Sequence, residues 1–147
     1  MTFSTEMILI VEDEAADVEF LRRAFIKAYV PNPVHSVGNG EEAITYLKGE
    51  GRYSDRKAFP FPRVVITDLK MPQMDGIQLL RWIQLNPAYG VVPIIVLTSS
   101  TSQADVDAAF GAGASAYFVK PVDFKELEQI ARVITDYWRI SLLPSRS

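Results

Sequence analysis

The chain contains no cysteine among its 147 residues. Disulfides and thiolate metal sites are therefore excluded, and a reducing compartment is expected. There is one histidine, His35. It lies in a weakly apolar segment without an evident partner and reads as structural or solvated, not catalytic. No apolar run approaches the ~20 residues needed to span a bilayer. The opening residues Met-Thr-Phe-Ser-Thr-Glu lack the basic and apolar regions of a signal peptide. An excess of basic charge is missing too. The net charge is −3, which shows no nucleic-acid footprint, so direct DNA binding is not expected. Internal repeats and low-complexity tracts are also lacking. The expectation is a soluble, cytoplasmic protein with no membrane association.

What is present is an ordinary globular balance, 48% hydrophobic and 22% charged, at a length suited to one domain with a proper core. Short apolar runs alternate with helical patterns. Met7–Val11, Val64–Thr67, Pro93–Leu97 and Ala116–Val119 read as strands, with a weaker one over 34–37. Helices are predicted from about Glu14 to Tyr29, from Asn39-Gly40 onward, over 77–85, over 103–112 and from about Asp123 to Arg139. Pro31 and Pro33 should end the first. Asp123 is the predicted N-cap of the last, with Glu126 completing a capping box. Residues 49–62 read as a long loop. Five β/α alternations with central strands apolar on both faces predict an α/β doubly wound (βα)5 sandwich.

In such folds a ligand site lies at the carboxyl ends of the strands. Glu12, Asp13, Asp68, Thr98 and Lys120 all stand there. Crowded carboxylates repel unless a cation sits among them. An all-oxygen donor set favours a hard ion, Mg²⁺ above all. Alternatively, Glu12 and Asp13 cap the first helix, where negative charge is favourable. Asp68 is the candidate nucleophile, able to form an acyl phosphate. Mg²⁺, the Lys120 ammonium and the Thr98 hydroxyl would then each take a phosphoryl oxygen. At rest Lys120 is expected to pair with Asp68. The Lys120–Pro121 bond is trans on base rates.

The segments Ile-Leu-Ile-Val-Glu-Asp-Glu at 8–14, Val-Val-Ile-Thr-Asp-Leu-Lys-Met-Pro-Gln-Met-Asp-Gly at 64–76, Ile-Ile-Val-Leu-Thr at 94–98 and Gly-Ala-Ser-Ala-Tyr-Phe-Val-Lys-Pro at 113–121 resemble the receiver domain of two-component response regulators. The resemblance spans about residues 6–136. It implies a flavodoxin-like fold with a five-stranded parallel sheet of order 2-1-3-4-5. It also implies phosphoryl transfer from a histidine kinase to Asp68, and Mg²⁺ held by Glu12, Asp13, Asp68 and the backbone carbonyl of Lys70. Mn²⁺ or Ca²⁺ would be substitutes in crystals. Thr98 and Lys120 would sense the phosphoryl group, and Tyr117 would be the switch aromatic. Lys70 and Ser100 would tune dephosphorylation. The resemblance further implies a cis bond before Pro121, reversing the base-rate expectation.

The loop 49–62, with Tyr53, Phe59 and Phe61, and the tail 137–147 look like those of the small regulators that pair with cyanobacterial phytochromes. That likeness implies a phytochrome-type kinase as partner and a stand-alone receiver spanning residues 1–147. It also implies a homodimer built on Tyr137, Trp138, Ile140, Leu142 and Leu143, five side chains that would make an apolar patch if exposed together. The alternative is a tail folded back on its own domain. Three rivals fit less well. A haloacid-dehalogenase-like phosphatase needs an Asp where Lys70 stands. A flavodoxin-like cofactor binder needs a phosphate loop where Glu12-Asp13-Glu14 stands. A pseudo-receiver would have lost one of the site residues, and all are here.

Overall fold

The computed structural model describes residues 6–141, so Leu142 and Leu143 lie outside the described residues. The elements in chain order are β1 (Ile8–Val11), α1 (Ala15–Lys27), β2 (Val34–Val37), α2 (Gly40–Lys48), β3 (Val64–Thr67), α3 (Gly76–Leu85), β4 (Ile94–Thr98), α4 (Gln103–Gly111), β5 (Ala116–Val119) and α5 (Phe124–Ile140). The five strands are all parallel, in the order β2-β1-β3-β4-β5. This is the doubly wound receiver fold that the alternation and the resemblance imply. Every residue of β1, β3 and β4 is buried, whereas β2 and β5 at the edges are mostly half-exposed.

The period of two along each strand divides the interior. Ile8, Ile10, Val64, Ile66, Ile95 and Leu97 face α1 and α5. Leu9, Val11, Val65, Ile94 and Val96 face the side covered by α2, α3 and α4. Each fully buried aliphatic side chain contributes roughly 1.5–3 kcal/mol of burial. A strand slipped by one residue would exchange the two faces, so the packing also sets the register.

Three local expectations change. First, α1 stops at Lys27, before the prolines. Tyr29 adopts a left-handed φ of 58°, and the Val30 N–H reaches back to the Phe25 carbonyl at 3.0 Å. This is a Schellman-type ending on a residue other than glycine. Second, Asp123 does cap α5, but it accepts from the Lys125 N–H at 2.9 Å, not from Glu126. The reciprocal capping box is at Asp75 and Gln78 instead. Third, the last helix extends to Ile140, so the first part of the expected tail is the end of α5. Trp138 packs on the core face shared with Ile134. The buried Arg63 guanidinium donates to the Trp138 carbonyl and, at 2.9 Å, to that of Ser141. Tyr137 and Ile140 are exposed.

The segment 49–62 is not a loose surface loop. A short 3-10 turn, Gly51–Tyr53, drives Tyr53 fully into the interior. There Tyr53 joins Tyr46, Phe59 and His35, with ring centroids 4.8–6.1 Å apart. Arg56 donates to the Leu47 carbonyl at 2.7 Å, closing the end of α2. His35 therefore has partners, contrary to the sequence reading. It stacks on Tyr46, and its Nε2 lies 3.3 Å from the Tyr53 hydroxyl. The same hydroxyl donates to Glu42 at 2.6 Å. Burial and then the Arg52 charge lower the His35 pKa below its usual 6.5. Neutral His35 thus adds stability that is present above about pH 6.5 and is lost as pH falls below it. In urea titrations at pH 7.5 and 5.5, wild type should lose more stability between the two than His35→Phe. An equal loss in both would contradict this.

Candidate functional site

The chain changes winding direction between β1 and β3, and the crevice there opens at their carboxyl ends. Backbone ladder bonds extend just past the strands and set the site residues in place. Glu12 N donates to Val37 O, Asp68 N to Val11 O and Lys120 N to Thr98 O, at 2.9, 3.0 and 2.7 Å. Gly76 allows the next loop to close over this edge. A Cβ there would lie 2.2 Å from the Asp68 carbonyl oxygen, so only glycine permits α3 to start so near the site.

At the centre is the Lys120 ammonium. Its Nζ donates to Glu12 Oε1, Asp17 Oδ2 and Asp68 Oδ2, each at 2.7 Å. Lys120, Glu12 and Asp68 are largely buried, while Asp17 is half-exposed. The expected Lys120–Asp68 pair is therefore present, widened to a three-carboxylate cluster. The other Asp68 oxygen accepts from the Leu69 N–H at 2.6 Å.

The two buried carboxylates respond oppositely. Burial outweighs the Lys120 bond at Glu12 and pushes its pKa up to about 7. At Asp68 burial also opposes ionisation, but hydrogen bonds from Lys120 and Thr98, the Lys120 charge and the Leu69 N–H outweigh it. Asp68 is held below the usual carboxylate range. Lys120 is correspondingly raised, because its three carboxylate bonds outweigh its own burial.

Asp13 is exposed and stands outside the Lys120 cluster. Glu12, Asp17 and Asp68 are gathered on the Lys120 ammonium and Asp13 is not with them, and among the described residues no group of three Asp, Glu or His side chains that could hold a metal ion is found. The donor chemistry nevertheless fits a hard cation. Glu12 and Asp68 meet on one ammonium, and the donors are all oxygen. Asp17 escaped the sequence reading, which considered only strand ends. Its signal was its place in the first turn of α1, four residues after Asp13.

On the far side, the Tyr117 hydroxyl donates to the Ser100 carbonyl at 3.0 Å. Ser100 N lies 3.5 Å from Thr98 Oγ1. Lys70 is exposed beside the crevice. No cis peptide bond occurs among the described residues. The bond before Pro121 is thus trans, the ordinary X-Pro state, and the resemblance-based expectation of cis is corrected.

Removing the ammonium leaves two buried carboxylates without their counter-charge. Lys120→Met should destabilise the fold by about 3–5 kcal/mol at pH 8. The loss should shrink at pH 5.5. Without Lys120 both carboxyls have raised folded pKa values, so their ionisation costs stability as pH rises. Chemical denaturation at the two pH values checks the sign, and a loss independent of pH would contradict it.

Comparison with known proteins supports the same reading. The family model for the response regulator receiver domain matches residues 8–132. The chain is 32% identical over 135 residues to the probable methanogenesis regulatory protein FilR2 of Methanothrix harundinacea, covering 90% of this chain and 83% of that protein. It is 28% identical to response regulator Rcp1 of Synechocystis, over 90% of this chain and 88% of Rcp1. The Mn²⁺-bound structure of Rcp1 superposes with a TM-score of 0.81, covering 95% of this chain and 99% of that one. The phosphorylated cyanobacterial phytochrome response regulator RcpA superposes with a TM-score of 0.85 at 30% identity, over 96% of this chain and 99% of RcpA. With strand order, site edge and family match in agreement, this chain belongs to the response regulator receiver domain family.

Proposed function

We propose that the protein is a phosphoacceptor switch that receives a phosphoryl group on Asp68 from a histidine kinase, rather than an enzyme acting on a separate substrate. The observation that carries this is the Asp68 carboxylate held ionised at the switch point, 2.7 Å from the Lys120 ammonium. An Asp68 oxygen attacks the phosphorus of a phosphohistidine. The P–N bond breaks, the imidazole nitrogen takes up a proton, and an acyl phosphate forms. Lys120 passes from the carboxylate to a phosphoryl oxygen, and the Thr98 hydroxyl donates to another. Glu12, Asp68 and the Lys70 carbonyl, with Asp13 turned in beside them, would hold Mg²⁺, which neutralises charge on the phosphoryl oxygens when bound. As Thr98 moves, the Tyr117–Ser100 contact is the one that changes, and it carries the switch to the outer face.

A phytochrome-type kinase is the proposed donor. Support comes from the likeness to RcpA along nearly the whole chain. The described helices include none long and apolar enough to cross a membrane. Incubation with Mg²⁺ and acetyl phosphate should add one phosphoryl group by intact mass in wild type and none in Asp68→Asn. No gain in wild type, or an equal gain in the variant, would overturn the proposal.

A homodimer is proposed on the outer face of α5. Val133, Tyr137 and Ile140 are exposed there, Ile140 at 78%, and they leave an apolar stripe. Trp138 is not part of it, because it packs inward. Light scattering should give a dimer for the full chain and a shift to monomer for Tyr137→Glu/Ile140→Glu. A monomeric wild type would refute this.

A further inference from the structure

Asp105 lies in the first turn of α4, outside every motif considered above, yet it touches both residues that flank the phosphoryl position. Its Oδ2 accepts from the Ser100 hydroxyl at 2.5 Å. The same oxygen lies 3.8 Å from Lys70 Nζ. Ser100 is a junction. Its N–H approaches the Thr98 hydroxyl, its carbonyl accepts from Tyr117, and its hydroxyl, besides donating to Asp105, accepts from the Ser102 N–H at 3.2 Å. Lys70 follows Asp68 by two residues, and its N–H points at Asp68 Oδ1 from 3.4 Å. Its side chain turns away towards α4.

We infer that Asp105 is a positioning residue that holds Lys70 and Ser100 off the phosphoryl site and thereby sets the lifetime of the aspartyl phosphate. The inference rests on the proposed phosphorylation of Asp68. The two tethers differ in strength. The hydroxyl–carboxylate bond is short and charge-assisted. The ion pair is weak, since the Lys70 side chain is 73% exposed and that of Asp105 29%. A phosphoryl group on Asp68 brings up to two negative charges next to the Lys70 backbone. The ammonium is then shared between that group and Asp105. Hydrolysis requires water to attack the phosphorus. The bond to the Asp68 oxygen breaks, inorganic phosphate leaves with the water's oxygen and both its protons, and the carboxylate is restored. An ammonium lying over the phosphoryl group blocks the water's approach. Asp105, by drawing the ammonium away, keeps that approach open.

The test is the half-life of the phosphorylated protein, followed by intact mass after removal of acetyl phosphate. Asp105→Asn keeps a side-chain oxygen for Ser100 but loses the charge that holds Lys70. Its half-life should lengthen about threefold, the size an exposed ion pair can impose on a rate. In a Lys70→Ala background the same substitution should have no effect. Equal half-lives in wild type and Asp105→Asn would overturn the inference, as would an undiminished effect in the Lys70→Ala background. A merely structural role for Asp105 would not disappear with Lys70. Failure of wild type to gain phosphoryl mass would instead strike the reading of Asp68, and this inference with it.

Discussion

One ammonium organises the functional edge of this molecule. Lys120 reaches from the end of β5 across the sheet to carboxylates supplied by β1, α1 and β3. Without that cation, Glu12 and Asp68 would be two negative charges in a mostly buried crevice, and at least one would be protonated. With it, the cation is 2.7 Å from each carboxylate, and Asp68 is the one held ionised, because hydrogen bonds from Thr98 and Leu69 add to that of Lys120 while burial raises Glu12. Asp68 is thereby kept in the state that the proposed phosphoryl transfer needs. The cost of desolvating the cluster falls on the acidic neighbour instead.

The sheet makes this arrangement possible and the helices keep it in register. Because β1, β3 and β4 are buried on both faces, their ends cannot slide without exposing aliphatic side chains to water. The ladder bonds at Glu12, Asp68 and Lys120 then fix where each functional side chain emerges. A second layer of polar contacts surrounds the rigid edge. Thr98, Ser100, Tyr117, Asp105 and Lys70 are linked through exchangeable hydrogen bonds and one weak ion pair. A rigid charged edge beside an adjustable rim suits the proposed switch, since charge added at one point must move something else.

The segment 49–62 shows a different use of a long connection. The sequence marks it as a long loop carrying Tyr53, Phe59 and Phe61. In the fold, Tyr53 and Phe59 join the ring cluster with Tyr46 and His35. The Tyr53 hydroxyl reaches Glu42, which also accepts from the Gly38 N–H at 2.9 Å. The connection thus extends the hydrophobic core beyond α2. On α5, by contrast, Tyr137 and Ile140 remain exposed while Trp138 turns in.

The sequence by itself determined the fold class, the strand order through its family resemblance, and the position of Glu12, Asp68, Thr98 and Lys120 on one edge. Those features follow from apolar periodicity and from polar residues placed where strands end, and both are local patterns. Tertiary structure alone decided the rest. Asp17 and Asp105 sit on helix first turns and acquire partners only when α1 and α4 pack beside the strand ends. Asp13 is exposed while its neighbour Glu12 turns inward, because adjacent residues leaving a strand point to opposite sides. Trp138 packs on the core while Tyr137, its ring 4.5 Å away, stays exposed, because successive residues on a helix face different directions. Strand periodicity can bring a residue to an edge. Which carboxylates share the Lys120 ammonium depends on distances that form only between elements far apart in the chain.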